Sequence, residues 1–218
     1  MLRKTRPLIL GIGGAPFPGS SCERALKISL AKAAADGAHT RLIAGEDLVL
    51  PLYNPNDKAR NEKQRLLVDS FRSCDGLIIA SPSYHGSVSG LIKNALDYVE
   101  DLRTDTRVYL DGIAVGLVVC AGGWHGAGQT LSAMRSIVHA LRGWPTPLGA
   151  MINTSACEFD AAGRCGDGAM HGQLVAVGKQ VARHARLQLY ADEVDESPPS
   201  RSAVMLQDTM AERRACAV

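Results

Sequence analysis

Three glycine- and serine-rich segments carry the residues with chemistry to perform. The most informative is Ser81–Asp97, SPSYHGSVSGLIKNALD, which combines backbone donors, an aromatic ring (Tyr84), an imidazole (His85) and small residues that let a flat ligand come close. It has no metal-ligand spacing and no nucleophile–base pair. Gly86-Ser87-Val88-Ser89-Gly90 puts Val where the nucleophile elbow G-x-S-x-G needs its serine, which argues against a hydrolase. The segment is suited to holding a planar, anionic ligand rather than attacking one.

The second segment, Gly13–Cys22 (GGAPFPGSSC), ends in hydroxyls ahead of a helical pattern. The dinucleotide fingerprint G-x-G-x-x-G fails because Pro16 stands where the third glycine belongs, and the P-loop template over Gly14–Ser21 fails because Ser20 replaces its lysine. What remains suits a single phosphate monoester at a helix N-terminus. The competing reading makes Ser20 and Ser21 plain helix caps. The third segment, Ala121–Gly128 (AGGWHGAG), sets four glycines around Trp124 and reads as an open loop. It would be a wall for an aromatic ligand or a flexible lid, with a solvent-facing turn as the bland alternative.

These segments follow apolar runs that read as strands. Pro7–Gly13, Thr40–Ala44, Gly76–Ala80, Ile113–Cys120 and Leu148–Asn153 are the strand candidates. Between them lie helical patterns at Ser21–Asp36, at Asn61–Ser73, after Ser89 (Leu91, Ile92, Ala95, Leu96, Val99), around Leu131–Leu141 and at Met170–Leu189. Alternation of this kind predicts βαβ units, a parallel sheet and right-handed crossovers, hence a three-layer α/β/α sandwich. With five strands in the order 2-1-3-4-5, the three segments meet at one carboxyl edge, around the switch point between strands one and three.

The 218-residue chain has length for one sizeable core, with 46% hydrophobic and 21% charged residues. Residues 1–190 are expected to form that domain. The stretch 191–218 reads as a mobile tail, or one that docks on a neighbouring subunit. A formal charge of +2 gives no footing for nucleic acid or an anionic membrane surface. No apolar run approaches the roughly 18 residues of a membrane span, and the N-terminus does not read as a signal peptide. Six cysteines (Cys22, Cys74, Cys120, Cys157, Cys165, Cys216) without a C-x-x-C pair fit a reducing compartment, so a cytoplasmic location is expected. Cys157, Cys165 and His171 share one polar stretch, but structural zinc takes four ligands at tighter paired spacing, and no metal site is assigned.

At Ser81–Asp97 the chain resembles the NAD(P)H-dependent FMN reductase family, matching S-P-x-Y-x-G-S-x-S-G-x-L-K-N-A-L-D with Ile92 in place of the leucine. The resemblance extends over roughly Pro7–Leu189. In the family's first loop, G-S-x-R-x-x-S, Gly14 and Ser20 match while Ala15 replaces the serine and Phe17 the arginine. Trp144-Pro145-Thr146-Pro147 also resembles a bacterial subset, some of whose members supply reduced flavin to monooxygenases.

The resemblance implies a flavodoxin-like fold, FMN as cofactor, NAD(P)H as co-substrate and a homodimer or homotetramer. It places Gly14, Ser20, Ser21 and Cys22 around the phosphate. Pro82, Ser83, Tyr84, His85 and Gly86 would lie along the ring system, and Gly122, Gly123 and Trp124 at its other edge. It assigns no catalytic acid or base. The leading reading is a reductase that delivers reduced FMN to a partner monooxygenase. The alternative passes electrons from bound FMN to a quinone or azo acceptor. A flavodoxin-type carrier is a third reading, disfavoured by a sequence pI near 8.2 where such carriers tend to be acidic.

Overall fold

The computed structural model of the chain describes residues 5–160 and 162–195, with the side chains of 192–195 left aside. Four long strands make up most of the sheet: β1 (Leu8–Gly13), β2 (His39–Ala44), β3 (Gly76–Tyr84) and β5 (Ala114–Ala121). Short β4 (Ser87–Val88), β6 (Trp144–Pro145) and β7 (Ala150–Asn153) complete the set. The helices are α1 (Ser21–Ala35), α2 (Glu62–Ser73), α3 (Gly90–Asp97), α4 (Trp124–Ala140) and α5 (Gly168–Asp195). Two 3-10 turns, Gly45–Leu48 and Tyr98–Leu102, fill in between.

The parallel α/β sandwich is as expected, but the five-stranded sheet in the order 2-1-3-4-5 is corrected. The sheet has seven strands, with β2-β1-β3-β5-β6 as its main path, β4 paired to β3 and β7 paired to β5. Two local causes account for the difference. The far edge is interrupted by Pro145 and Pro147, which lack an N–H for a ladder. As a result Trp144–Pro145 pairs with Ala114–Val115, and Ala150–Asn153 pairs separately with Val118–Ala121. At the other site β3 continues past Ala80 to Tyr84, then reverses through His85 (φ 53°) and Gly86 (φ 75°) into β4. A side chain on Gly86 would be strained at that φ, and its Cβ would also collide with the Gln129 amide.

Burial follows the strand alternation. Ile9, Ile78, Ala80, Val118 and Ile152 face α1 and α5, packing on Leu26, Leu30, Leu174, Val177 and Val181. Leu10, Ile12, Leu77, Ile79, Val115, Leu117 and Val119 face the other way, onto Leu67 and Phe71 of α2, Ile92 and Leu96 of α3, and Met134 and Val138 of α4. Covered on both faces, the central strands are continuous apolar runs, as parallel strands must be. Local signals set the helix starts: Ser20 caps α1, Ser89 caps α3, and Asn61 forms a reciprocal capping box with Gln64 on α2.

One compact unit ends at Arg186, and a second begins at Leu187. Of the second, residues 187–195 are described and continue α5 as helix, past Ala191 where the tail was expected to begin. The remainder of that expected tail, 196–218, with Cys216, lies outside the described residues. Among the described residues no helix is long and apolar enough to cross a membrane.

Candidate functional site

The carboxyl ends of β1, β3, β5 and β7 open on a cavity of about 220 Å³. It is lined by the α1 entry (Ala15, Phe17, Ser20–Cys22), by Pro82–Tyr84 at the end of β3, by Cys120–Gly122 and by Thr154.

At α1 the capping and binding readings of Ser20 meet in one atom. Ser20 Oγ accepts from the N–H groups of Glu23 and Ala15, each at 3.3 Å. With both lone pairs engaged, only its O–H is left for a ligand, and a lone donor suits an anionic oxygen. Ser21 and Cys22 occupy the first helical positions, where backbone N–H groups have no intrahelical acceptor. Glu23 adds a carboxylate to the same turn. Burial pushes that carboxyl up, but the Lys27 ammonium at 2.5 Å and the Gly19 N–H at 2.9 Å outweigh it, so the group stays ionised below its usual range. Lys27 thus offsets the negative charge that Glu23 sets near the N-terminus of α1.

The β3 end is held by hydroxyls. Ser83 Oγ donates to the Gly126 carbonyl (3.1 Å) and accepts from Thr130 Oγ1 (2.8 Å). Ser83 lines the cavity, yet its hydroxyl is engaged in tying the strand to α4. Gly126 permits that approach, since a Cβ there would lie 3.1 Å from Ser83 Oγ. One turn deeper, Ser81 Oγ accepts from Ser89 N–H (3.1 Å), fixing the start of α3 to the same strand.

The third segment differs from its expected form. The open loop Ala121–Gly128 is only Gly122 and Gly123, because α4 begins at Trp124 and carries Gly126 and Gly128 inside its first turns. Gly123 occupies the cap position without a capping side chain, which leaves the first N–H groups of α4 to solvent or ligand. Three large aromatics stand out to solvent from these segments: Phe17 (57% exposed), Tyr84 (56%) and Trp124 (50%).

The family described as NADPH-dependent FMN reductase matches residues 7–156, more than half of the chain. This chain belongs to that family. Among curated relatives, the NADPH azoreductase of Bacillus sp. (strain OY1-2) is 32% identical over 88 residues, covering 40% of this chain and 46% of that protein. The FMN-dependent NADPH-azoreductase of Staphylococcus aureus (strain USA300) is 40% identical over 81 residues, 37% of this chain and 39% of its own length. The matched segments thus span less than half the length of these relatives. The apo form of an NADH:FMN oxidoreductase (EMOB) superposes with a TM-score of 0.63 at 23% identity, over 89% of this chain and 92% of the other, and so shares the fold.

Against the family's expected cofactor residues, Ser20, Ser21, Cys22, Pro82, Ser83, Tyr84 and Gly122 line the cavity. Gly14, His85, Gly86, Gly123 and Trp124 lie outside its lining. Gly14 supports the loop from behind, its N–H donating to the Ala80 carbonyl at 3.3 Å. Thr154, Cys120 and Ala121 line the cavity without having been singled out for binding. Thr154 follows a short strand and carries no motif; Cys120 reads as a plain strand residue, and Ala121 only opens the third segment. Among the described residues no cluster of three or more His, Cys, Asp or Glu is arranged to hold a metal ion.

Proposed function

We propose that the chain is an NAD(P)H-dependent oxidoreductase that binds FMN at the β-strand carboxyl edge and passes electrons from nicotinamide to a second acceptor. The observation that carries this is the convergence of the capped α1 N-terminus and the Pro82–Tyr84 strand end on one cavity. The residues fit the group. Ser20 O–H and the first N–H groups of α1 supply donors for a phosphate with no guanidinium needed, consistent with Phe17 standing where the family has arginine. At about 220 Å³ the cavity is smaller than the roughly 300–1,000 Å³ of enclosing sites. Tyr84 and Gly122, at the cavity's mouth, would therefore be the residues that hold the ring system.

FMN when bound supplies the redox chemistry, taking a hydride from the nicotinamide and handing two electrons on. The chain contributes position and electrostatics. Thr130 and Ser83 fix the strand end, and backbone N–H groups along Pro82–Gly86 would be the donors for negative charge developing on the ring system. No side chain is assigned as acid or base.

The names of the curated relatives favour an azo compound as the second acceptor. Delivery of reduced FMN to a partner monooxygenase is the other reading of the same site. In both, residues 1–190 act as the reductase domain of a homo-oligomer.

Steady-state kinetics test the proposal. With NAD(P)H varied at several concentrations of an azo dye, double-reciprocal plots should be parallel, because nicotinamide and dye use one face in turn. Flavin should survive gel filtration. Flavin that washes out, with intersecting lines when FMN is the varied acceptor, would favour the free-flavin reading. Tight FMN binding without NAD(P)H oxidation would sink both and leave a carrier.

A further inference from the structure

Four thiols from three parts of the chain share one apolar cluster. Cys22 and Cys120 line the cavity, and the neighbouring Cys22 thiol together with burial pushes the Cys120 thiol well above its usual range. Cys157 and Cys165 lie beyond them with their Sγ atoms 2.8 Å apart. Both belong to a small hairpin. Phe159 bridges Cys165, Gly166 N–H donates to the Glu158 carbonyl (3.1 Å), Asp160 N–H donates to the Arg164 carbonyl (3.0 Å), and Asp160 pairs with Arg164 at 2.7 Å. The hairpin bears on the anion-binding turn, because Arg24 of α1 donates to the Phe159 carbonyl (3.1 Å).

We propose that Cys157 and Cys165 are a reversible dithiol–disulfide pair, a latch that closes this hairpin on itself beside the α1 N-terminus. The sulfurs stand less than about 1 Å beyond the roughly 2.05 Å of a formed bond, and the cross-strand hydrogen bonds already hold both backbones, so closure needs little movement. In a reducing compartment, a disulfide of this kind is a transient, redox-sensing one. The oxidant is a hydroperoxide, which reduced flavin generates with dioxygen. Cys165, the more accessible thiol, loses its proton and attacks a peroxide oxygen, giving a sulfenic acid and water. Cys157 then attacks that sulfur and expels a second water. In sum, two thiols and one hydrogen peroxide give one disulfide and two waters; two equivalents of a thiol reductant reverse it. Desolvation and the neighbouring Cys157 push the Cys165 thiol to about 11, so the latch closes slowly at neutral pH and answers to sustained oxidant.

The full chain treated with hydrogen peroxide, alkylated and digested should yield the Cys157 and Cys165 peptides joined, and dithiothreitol should separate them. In Cys157→Ala, a sulfenic acid trap should label Cys165. On oxidation, the Asp160, Gly163 and Gly166 amides of the wild-type chain should exchange hydrogen at least about tenfold more slowly. Full alkylation of both cysteines after peroxide, or a Cys22–Cys120 bond in their place, overturns the assignment. A formed bond with unchanged exchange overturns the latch. None of these readouts needs flavin turnover, so they are independent of the reductase reading.

Discussion

Two pockets of this molecule teach opposite lessons about charge. The larger, about 410 Å³, lies between the Tyr53–Arg60 segment and the 3-10 turn at Tyr98–Leu102, and is lined by Lys58, Arg60, Arg103, Glu100 and Asp101. The smaller, about 220 Å³, is the cavity at the strand ends, and no charged side chain lines it. Size and charge favour the first as a binding site; hydrogen-bond accounting favours the second. In the larger pocket Arg60 grips both carboxylate oxygens of Asp101 (2.7 and 2.8 Å), and Tyr53 donates to the same carboxylate at 3.2 Å. The guanidinium also lies over the Tyr53 and Tyr98 rings at 5.0 and 5.2 Å. Those charges are engaged in bracing the loop on the 3-10 turn. At the strand ends, the Ser20 O–H and the first N–H groups of α1 remain available. A site is marked by donors left over after folding.

The largest effect that follows is on stability. Asp101→Ala would leave a mostly buried guanidinium unpaired, at side-chain exposures of 11% for Arg60 and 17% for Asp101. Breaking a fully buried pair costs about 3–5 kcal/mol; partial solvent access here reduces that to about 2–3 kcal/mol. Urea unfolding at pH 7 should register the loss with FMN affinity unchanged. The pH dependence has a definite sign. Hydrogen bonds from Arg60 hold the Asp101 carboxyl below its unfolded value despite burial. Its stabilisation is therefore complete above about pH 4 and disappears as pH falls through the lower, folded value. Asp101→Ala should flatten that acid limb. If FMN binding fell together with stability, the division between brace and site would be wrong.

Ser20→Asp probes the other pocket. Aspartate is as good an N-cap as serine, so α1 should form and the chain should melt close to wild type. The new carboxylate would put a negative charge where the Ser20 hydroxyl is proposed to meet the phosphate. Loss of a charge-assisted contact is worth roughly 1.5–3 kcal/mol, so FMN affinity should drop at least about tenfold, with riboflavin much less affected. Equal losses for both ligands would place the phosphate elsewhere.

The sequence revealed the fold where burial is two-sided. Leu8–Ile12, Leu77–Ala80 and Val115–Val119 are apolar runs because helices cover both faces. It concealed the sheet edge, where a two-residue strand such as Trp144–Pro145 has no period to read and is defined only by its partner, Ala114–Val115. Gly126 and Gly128 misled in a different way. Their low helix propensity argues for a loop, but packing of α4 overrides it, and Gly126 serves the approach to Ser83. Of the cavity lining, Ser20 and Tyr84 could be picked out because they sit in motifs that follow strong strands. Thr130 could not, since a buried threonine inside a helix looks like any other until its bond to Ser83 is seen. Thr154 depends likewise on β7 reaching the cavity.

The smallest effect sets two tyrosines against each other. Tyr53 meets Tyr98 edge-on, with centroids 5.2 Å apart and planes at 78°, and binds Asp101, so its ring is part of the brace. Tyr84 lines the strand-end cavity with 56% of its surface exposed, so its ring is free to take a ligand. Truncation should separate the two roles. Tyr53→Ala should lower stability and leave FMN affinity alone. Tyr84→Ala removes little buried surface and should melt normally, while FMN and riboflavin both bind more weakly, by the roughly 0.5–1.5 kcal/mol that an aromatic pair adds beyond area burial. That common loss sharpens the Ser20→Asp result, because a ring contact cannot distinguish the two flavins and a phosphate contact must. Tyr84→Ala with normal melting and unchanged affinity for both would move the ring system off Tyr84, toward Phe17 or Trp124, while leaving the phosphate assignment intact.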